Sequence, residues 1–288
     1  MLGQIIVSAI TLGAVYTLIA IGFTIVFATK EIINFSHGEF VMLGGVLAAW
    51  LSQTAGLPML VALPATILIV SAFALLMYVL TLNETVADPL SQVMITLGLA
   101  IAIKGLVQVT IGKGTMFVPP LSQTARLSIG GLFVNPQALW IVGALVLLVS
   151  GLLILLRTTW LGLSMRAVAL DSYAAVLMGV TPRRAAAAAF VVAGMFGAAA
   201  GALLAPIASA SYDNGLFLGL KGFAAAVLGG IGSPAGAVVG GLLLGFAETI
   251  SAGYISSTYK DAITLSLLFL TLMFFPQGLL GGKAIRKL

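Results

Sequence analysis

Long runs without a charged side chain constrain this sequence more than any other feature. They lie at 5–29, 40–83, 127–156, 185–212, 222–247 and 262–282. An α-helix needs about 20 apolar residues to cross the hydrocarbon core of a bilayer, so the run at 40–83 holds two such segments around a polar turn. With a further segment at 89–112, the sequence predicts an all-α, polytopic membrane protein of about eight transmembrane helices.

Composition supports a membrane protein and excludes several other classes. Only 7% of the residues are charged and 61% are apolar, whereas a soluble domain carries roughly 25% charged residues. The net charge of +5 is spread singly or in pairs, so no basic face for nucleic acid is formed. No interval between the runs is long enough for a soluble domain. We therefore expect residues 1–288 to form a single transmembrane domain, with any energy-coupling module on another chain.

Basic residues at the ends of the runs predict the orientation, because Lys and Arg favour cytoplasmic loops. The segment 157–184 and the C-terminal tail carry most of them: Arg157, Arg166, Arg183, Arg184, Lys283, Arg286 and Lys287. Both are placed in the cytoplasm. The N-terminus and 207–221 then fall outside, and 82–90 falls inside.

A cytoplasmic C-terminus is incompatible with a single membrane crossing by 222–247. Pro234 lies among Gly229, Gly230 and Gly232 and can break the helix there. The two short helices then either dip in and return or cross as a pair. Because a broken helix at membrane depth is stable only inside protein or along a cavity, we expect 229–236 to face a partner or a pathway. The alternative is one Gly-rich helix used for packing.

A second interruption, "EIINFSHGEFVMLGG" at 31–45, places polar side chains between two apolar runs. Polar groups in or beside a bilayer are unfavourable and are often functional. Either Asn34, Ser36 and His37 hold a helix break together, or the break lines a gate, and the two roles overlap. We expect a discontinuous helix near 31–38 beside the translocation route, with Asn34, Ser36, His37 and Glu39 as gate candidates. A metal site would need three placed ligands and catalysis a nucleophile with a base; neither set is visible.

The segment 157–184 predicts a short helix between two spans. Asp171 or Ser172 can cap its first turn, Gly179 suits its end, and Thr181 with Pro182 begins the next span. The residues between are small or apolar, and an exposed apolar patch usually marks a contact site. We expect a docking site for a cytosolic partner; the alternative is a helix lying in the lipid interface.

Several of these motifs resemble one family. Ala174 and Ala175 followed by Gly179 resemble the Ala-Ala-x-x-x-Gly core of the coupling motif of ABC importer permeases, with Tyr173 where a Glu is usual. "INFSHGE" at 33–39 and "AAVLGGIGSPAGAVVGGLLLG" at 225–245 are similar to motifs of the branched-chain (hydrophobic) amino acid permeases. "VMLGGV" at 41–46 also echoes "AVLGGI" at 226–231, and the resemblance implies an ABC permease fold with an internal pseudo-repeat.

The resemblance further implies a set of partners and a bacterial inner-membrane location. These partners are a second homologous permease subunit, two cytosolic ATPase subunits and a periplasmic substrate-binding protein. ATP and Mg would bind the ATPases; this chain would bind no cofactor and would not be an enzyme. The ATPases would dock on the coupling residues, which are Asp171, Ser172, Tyr173, Ala174, Ala175, Met178, Gly179 and Arg183.

The expected function is import of branched-chain or other hydrophobic amino acids by alternating access. Urea, short amides and aromatic acids are alternative substrates for the same architecture. A different class is an ion-coupled secondary transporter, which would use an intramembrane carboxylate. In this sequence nearly every carboxylate lies at the end of a run, which counts against that class.

Overall fold

The computed structural model describes residues 2–82, 88–122, 127–129, 132–275 and 277–281. In these ranges the chain forms eleven α-helices and one short hairpin. The helices are α1 (Leu2–Lys30), α2 (His37–Gln53), α3 (Met59–Met77), α4 (Pro89–Thr110), α5 (Pro136–Thr158), α6 (Trp160–Leu170), α7 (Ser172–Leu177), α8 (Pro182–Ala208), α9 (Asn214–Gly229), α10 (Pro234–Ile250) and α11 (Lys260–Phe274). Strands β1 (Leu127–Ile129) and β2 (Leu132–Val134) pair antiparallel. A π-helical turn extends α3 over Tyr78–Leu82 and α10 over Ser251–Ile255.

Six of the described helical segments are long and apolar enough to cross a membrane. They are Leu2–Lys30, Met59–Leu82, Leu90–Thr110, Pro136–Thr158, Pro182–Ala208 and Pro234–Ile255. Helices α2, α9 and α11 are shorter, with 17, 16 and 15 residues. The chain is therefore an all-helical, multi-pass protein apart from the hairpin, and six spans satisfy the length criterion where the sequence predicts about eight.

Local sequence explains where several helices begin. The side chains of Asp88, Asn135 and Ser233 each accept a backbone N–H in the first turn of α4, α5 and α10, and proline follows each of them. Proline suits this position because its missing N–H would have no partner there. The uncharged run at 127–156 consequently becomes helical only from Pro136, and its first residues include the hairpin.

Helices α1, α2 and α8 form the centre of the bundle. Residues 13–26 of α1 are all buried, and α8 is buried along most of its length. Few residues of helices α4 and α5 are buried, as expected for an outer layer that faces lipid. Among the described residues, the polar groups discussed below lie mainly where α1, α2 and α9 meet.

Small residues allow the central helices to pack closely. A Cβ atom at Gly44 of α2 would overlap the backbone of Ala198 in α8, and one at Gly201 would overlap Val41. Gly241 and Gly245 bring α10 equally close to α1. Gly201, Gly241 and Gly245 are therefore positions where the absence of a side chain allows two helices to approach closely.

Contacts between helix ends define two ends of the bundle. The α7 end contains the last turn of α1, the π turn after α3 and the first turn of α8, since Lys30 donates to the Leu82 carbonyl (3.1 Å) and Tyr78 to the Arg183 carbonyl (3.3 Å). The described residues of the C-terminal segment, 277–281, also lie at this end, against Gly230. The basic residues Lys283, Arg286 and Lys287, and most of the acidic loop 82–90, lie outside the described residues.

Candidate functional site

The connection between α1 and α2 turns back into the bundle. Helix α1 ends at Lys30, Glu31 has a left-handed backbone (φ 56°), and six residues later His37 Nε2 lies 3.1 Å from the Ile19 carbonyl oxygen. Ile19 precedes the end of α1 by eleven residues, which is about 16 Å along a helix at 1.5 Å per residue. Helix α2 therefore starts in the interior of the protein, as the predicted discontinuity near 31–38 requires.

Hydrogen bonds among the polar residues hold this break. The Asn34 Oδ1 atom accepts from the Ser36 hydroxyl (2.6 Å) and from the Ser36 N–H (3.1 Å), and both side chains are buried. The Phe35 N–H points to the Thr96 hydroxyl of α4 at 3.4 Å. Ser36 does not cap α2 with its side chain, so its hydroxyl stabilises the break rather than the helix.

His37 fills a space that glycines leave open. Its ring packs edge-on against Phe23, with centroids 4.6 Å apart, and it would collide with a Cβ atom at Gly22. A Cβ at Gly197 would also approach the ring. Its Nε2–H donates to a carbonyl, so this imidazole acts first as a structural tie between α1, α2 and α8.

Glu39 differs from its neighbours because its carboxylate borders a cavity. The side chain is buried, and its Oε2 atom has no hydrogen-bond partner within the described part of the chain. A Cβ atom at Gly215 of α9 would lie 2.6 Å from that oxygen. The cavity has a volume of about 50 Å³ and is lined by Phe23, Phe35, Glu39, Leu97, Ala100, Gly215, Leu216, Gly219, Leu220 and Phe223.

The second predicted break, at 229–236, is present but lies at the α7 end. Helix α9 ends at Gly229, Gly230 and Gly232 have φ values of 106° and 93°, and α10 begins at Pro234. Only glycine adopts such φ values without strain. The N–H groups of Leu279 and Leu280 donate to the last carbonyls of α9 at 2.9 Å. The chain's own C-terminal segment thus covers this break, while His37 and Glu39 lie deeper in the bundle.

Helices α9 and α10 form an antiparallel pair around the second break. Gly229 and Gly236 lie backbone to backbone, and Gly240 faces Ala225. Helix α10 then runs along α1 towards the opposite end. Of the two arrangements predicted for 222–247, this geometry resembles a pair that crosses together.

The predicted coupling helix is α7, and its surface is mostly exposed. Asp171 Oδ1 accepts the N–H groups of Tyr173 and Ala174 at 2.9 and 3.0 Å, and Gly179 ends the helix with φ 80°. The exposed apolar side chains are Tyr173, Val176, Leu177 and Met178. Ser172, Ala174 and Gly179 are exposed as well.

Ala175 departs from its predicted role. It is buried, and its carbonyl accepts the Val180 N–H at 2.9 Å, so it packs α7 onto the rest of the chain and presents nothing to a partner. Thr181 begins α8 without a side-chain cap. Arg183 is exposed, and its carbonyl is the acceptor for Tyr78, which links the start of α8 to the end of α3.

Sequence reasoning missed a buried ionic cluster that lies towards the end of the bundle opposite the α7 end. The Glu248 carboxylate accepts the Tyr16 hydroxyl at 2.6 Å and the Lys221 ammonium at 2.7 Å, and Lys221 also pairs with Asp261 at 2.7 Å. Glu248 is 2% exposed. Tyr16 and Lys221 lie 232 and 27 residues from Glu248 in the sequence, so no local sequence pattern predicts the cluster.

The burial of Glu39 and Glu248 weakens the sequence-based argument against an ion-coupled secondary transporter. Carboxylates at the ends of uncharged runs were expected near the membrane surface, yet both side chains lie inside the bundle. Within the described ranges, no three His, Asp or Glu side chains come together as a metal site. The class of transporter must therefore be decided by relationship to known proteins.

Comparison with known proteins gives a consistent result along the chain. Residues 5–275 match the family described as "Branched-chain amino acid transport system / permease component". The high-affinity branched-chain amino acid transport system permease protein LivH of Salmonella typhimurium is 33% identical over 307 aligned positions, covering 97% of this chain and 96% of the relative. BraD of Pseudomonas aeruginosa, with the same description, is 32% identical over 99% of this chain and 97% of the relative. A probable LivH of Methanocaldococcus jannaschii is 24% identical over 99% and 95%.

Proposed function

Because this chain belongs to the family of branched-chain amino acid transport permease components, we propose that it is a membrane-spanning subunit of an ATP-driven importer of branched-chain or other hydrophobic amino acids. The observation that carries the proposal is the match to residues 5–275, together with relatives similar over nearly their whole length. The family is a transporter component rather than a catalytic enzyme. The substrates of those relatives are the first to test here.

Helix α7 is the proposed docking site of a cytosolic ATPase. Its exposed apolar side chains include Tyr173, Leu177 and Met178, and a soluble partner would remove them from water. The Asp171 cap and the buried Ala175 fix the helix to the chain, so a push on α7 is transmitted to α8 rather than absorbed locally. The hydrogen bond from Tyr78 to Arg183 extends this path to α3.

The mechanism we propose is alternating access. ATP and Mg bind the two ATPase subunits, whose closure moves α7 and the first turn of α8. The rest of the importer comprises a second homologous permease subunit and a periplasmic substrate-binding protein. The break at 31–36 is the proposed moving part of the pathway, because it is held by a few hydrogen bonds rather than by a continuous helix.

Orientation and span number complete the proposal. We propose that the α7 end is cytoplasmic in the bacterial inner membrane and that the C-terminus is cytoplasmic too. The position of residues 277–281 at the α7 end supports this proposal. Helices α2 and α9 insert in addition to the six long spans, giving about eight elements or slightly more. They are also the proposed related parts of an internal pseudo-repeat, since each short helix adjoins a break and Gly38 packs against Gly219. Residues 1–288 then form one transmembrane domain.

The test is purification of the tagged chain in mild detergent, identification of what co-purifies, and reconstitution in vesicles. We expect two ATPases and a second permease, and ATP-dependent uptake of leucine, isoleucine or valine once the binding protein is added. Urea, short amides and aromatic acids are measured in the same vesicles. Uptake by the chain alone, driven by an ion gradient without ATP, would refute the importer and favour a secondary transporter.

A further inference from the structure

Glu39 is a buried carboxylate that forms no salt bridge among the described residues. Its side chain is 5% exposed, and Oε2 has no hydrogen-bond partner among the described residues. A buried carboxylate without compensation is strongly unfavourable. Glu248, which is also deeply buried, accepts hydrogen bonds from a hydroxyl and an ammonium group, so Glu39 differs from it in lacking a bonded cation among the described residues.

Within the part of the chain that the structure describes, no Lys or Arg side chain forms a salt bridge with Glu39. Lys104 and Asp213 are the charged groups that act on Glu39 electrostatically. The Lys104 ammonium is bonded to Asp213 and lies 5.5 Å from the Tyr212 ring centroid, and this pair is partly exposed. Lys104 therefore attracts Glu39 from a distance without bonding to it, which leaves the Glu39 carboxylate free to pair with a cation that enters the cavity.

The cavity beside Glu39 has the chemistry of a cation site. Three phenyl rings line it together with the carboxylate, and the Phe223 centroid lies 5.7 Å from that of Phe23 and 6.0 Å from that of Phe35. The faces of aromatic rings attract ammonium groups, and the attraction strengthens when water is excluded. The carboxylate would repel an anion, and a neutral amide could donate a hydrogen bond to it but would gain neither the ion pair nor the attraction to the rings.

We propose that Glu39 and these rings bind the α-ammonium group of the amino acid during its passage through the permease. The proposal rests on the proposed function, since every amino acid substrate carries this group. It assigns a substrate-contacting site to the membrane subunit, where Glu39 forms an ion pair with the substrate and the rings surround its cation.

The size of the cavity limits what it holds in this conformation. A volume of about 50 Å³ admits one or two groups the size of a water molecule, whose share of liquid volume is about 30 Å³. It therefore fits an ammonium group but not a leucine side chain. Leu97 of α4 and Leu216 of α9 are 40% and 58% exposed at its rim, so the apolar part of the substrate would lie against these leucines, outside the cavity.

The first experiment varies the ligand on the unmodified protein. The complete importer, without its binding protein, is placed in lipid nanodiscs, and bound radiolabelled leucine is displaced by two analogues. Isopentylamine keeps the ammonium and the branched chain, whereas 4-methylpentanoate keeps the carboxylate and the branched chain. We expect isopentylamine to compete at least about tenfold better, as a charge-assisted bond in a buried site implies.

The second experiment varies the residue. Glu39→Gln keeps the shape and removes the charge, and Glu39→Asp keeps the charge with a shorter reach. We expect leucine binding to weaken about tenfold or more in Glu39→Gln and less in Glu39→Asp, with the advantage of isopentylamine lost in the glutamine variant. The matched control is Asp88→Asn, the same acid-to-amide change at an exposed carboxylate outside the break. An asparagine can accept the same Ser91 N–H at the start of α4, so this variant leaves binding unchanged.

The outcomes separate this proposal from the proposed function. Equal competition by the two analogues, or equal leucine affinity in the Glu39→Gln variant, overturns the ammonium site even if the protein transports leucine. Competition by Na⁺ at constant ionic strength, without competition by isopentylamine, identifies a metal-cation site and also overturns it. If Glu39→Gln does not assemble, the ligand comparison on the unmodified complex still decides. A wild-type importer that takes up no amino acid refutes the proposed function and this site with it.

Discussion

Replacing Met178 of α7 tests whether α7 is a docking surface or merely a structural turn. Met178 is 82% exposed, and full burial of a methionine side chain contributes about 1.5–3 kcal/mol. Met178→Ala retains one methyl group, so we expect it to remove about 1–2 kcal/mol of ATPase binding, or about 5- to 30-fold in affinity. Met178→Glu should weaken binding further, because a charge would have to be desolvated in an apolar contact.

The assay measures ATPase affinity and ATP-dependent uptake in the same reconstituted vesicles. Membrane insertion and thermal stability are followed in parallel, and both should stay at wild-type levels because Met178 contacts solvent in the free chain. Ala175→Glu provides the contrast: Ala175 is 4% exposed, so a charge there should disrupt the packing of α7 and reduce stability as well as uptake. Wild-type ATPase affinity and uptake in Met178→Glu would refute the docking role of α7.

Three further predictions concern the stability of the chain, which is measured by thermal or denaturant unfolding of the purified protein in detergent. Lys221→Met removes one cation from the buried Glu248 carboxylate and should lower the free energy of unfolding by about 2–4 kcal/mol. The double variant Lys221→Met, Glu248→Gln should lose less stability than the sum of the two single variants. Additive losses of stability would contradict the ion pair. Gly44→Ala should lower the stability of the protein by about 1–3 kcal/mol, because the added Cβ would overlap the backbone of helix α8. The control Gly143→Ala has open space around it and should be neutral or slightly stabilising. Equal effects of the two variants would argue against the packing of α2 on α8. Ser36→Ala removes one buried hydrogen bond and should lower stability by about 0.5–1.5 kcal/mol; a larger transport defect than this loss explains would indicate that the break moves during transport.

The break near 31–38 shows how far sequence reasoning reaches into the site. The polar stretch between two apolar runs identified Asn34, Ser36, His37 and Glu39, and the structure places all four inside the protein. The sequence did not separate their roles. Asn34 and Ser36 bond to each other and His37 bonds to a backbone carbonyl, while Glu39 faces a cavity. The different role of Glu39 depends on helix α9, which lines the cavity beside it. No sequence pattern near Glu39 predicts that α9 packs against α2.

The coupling segment illustrates the same limit on a smaller scale. The Asp171 cap and the end at Gly179 are local features and were predicted correctly. Which face of α7 packs inward depends on how the short helix lies on its neighbours. Ala175 was therefore grouped with the exposed residues although it is buried.

The sequence by itself determined that the chain spans a membrane, where its helices are interrupted, and that a short apolar helix lies between two spans. These properties follow from composition and from backbone preferences within a few residues, so a linear sequence contains them. Only the tertiary structure decided that Tyr16, Lys221 and Glu248 form one buried cluster, and that Glu39 borders an aromatic cavity while Asn34 bonds to Ser36 and His37 to a backbone carbonyl. Such contacts depend on the rotation and register of helices far apart in the chain, and almost uniformly apolar helices carry little sequence pattern that would fix either one.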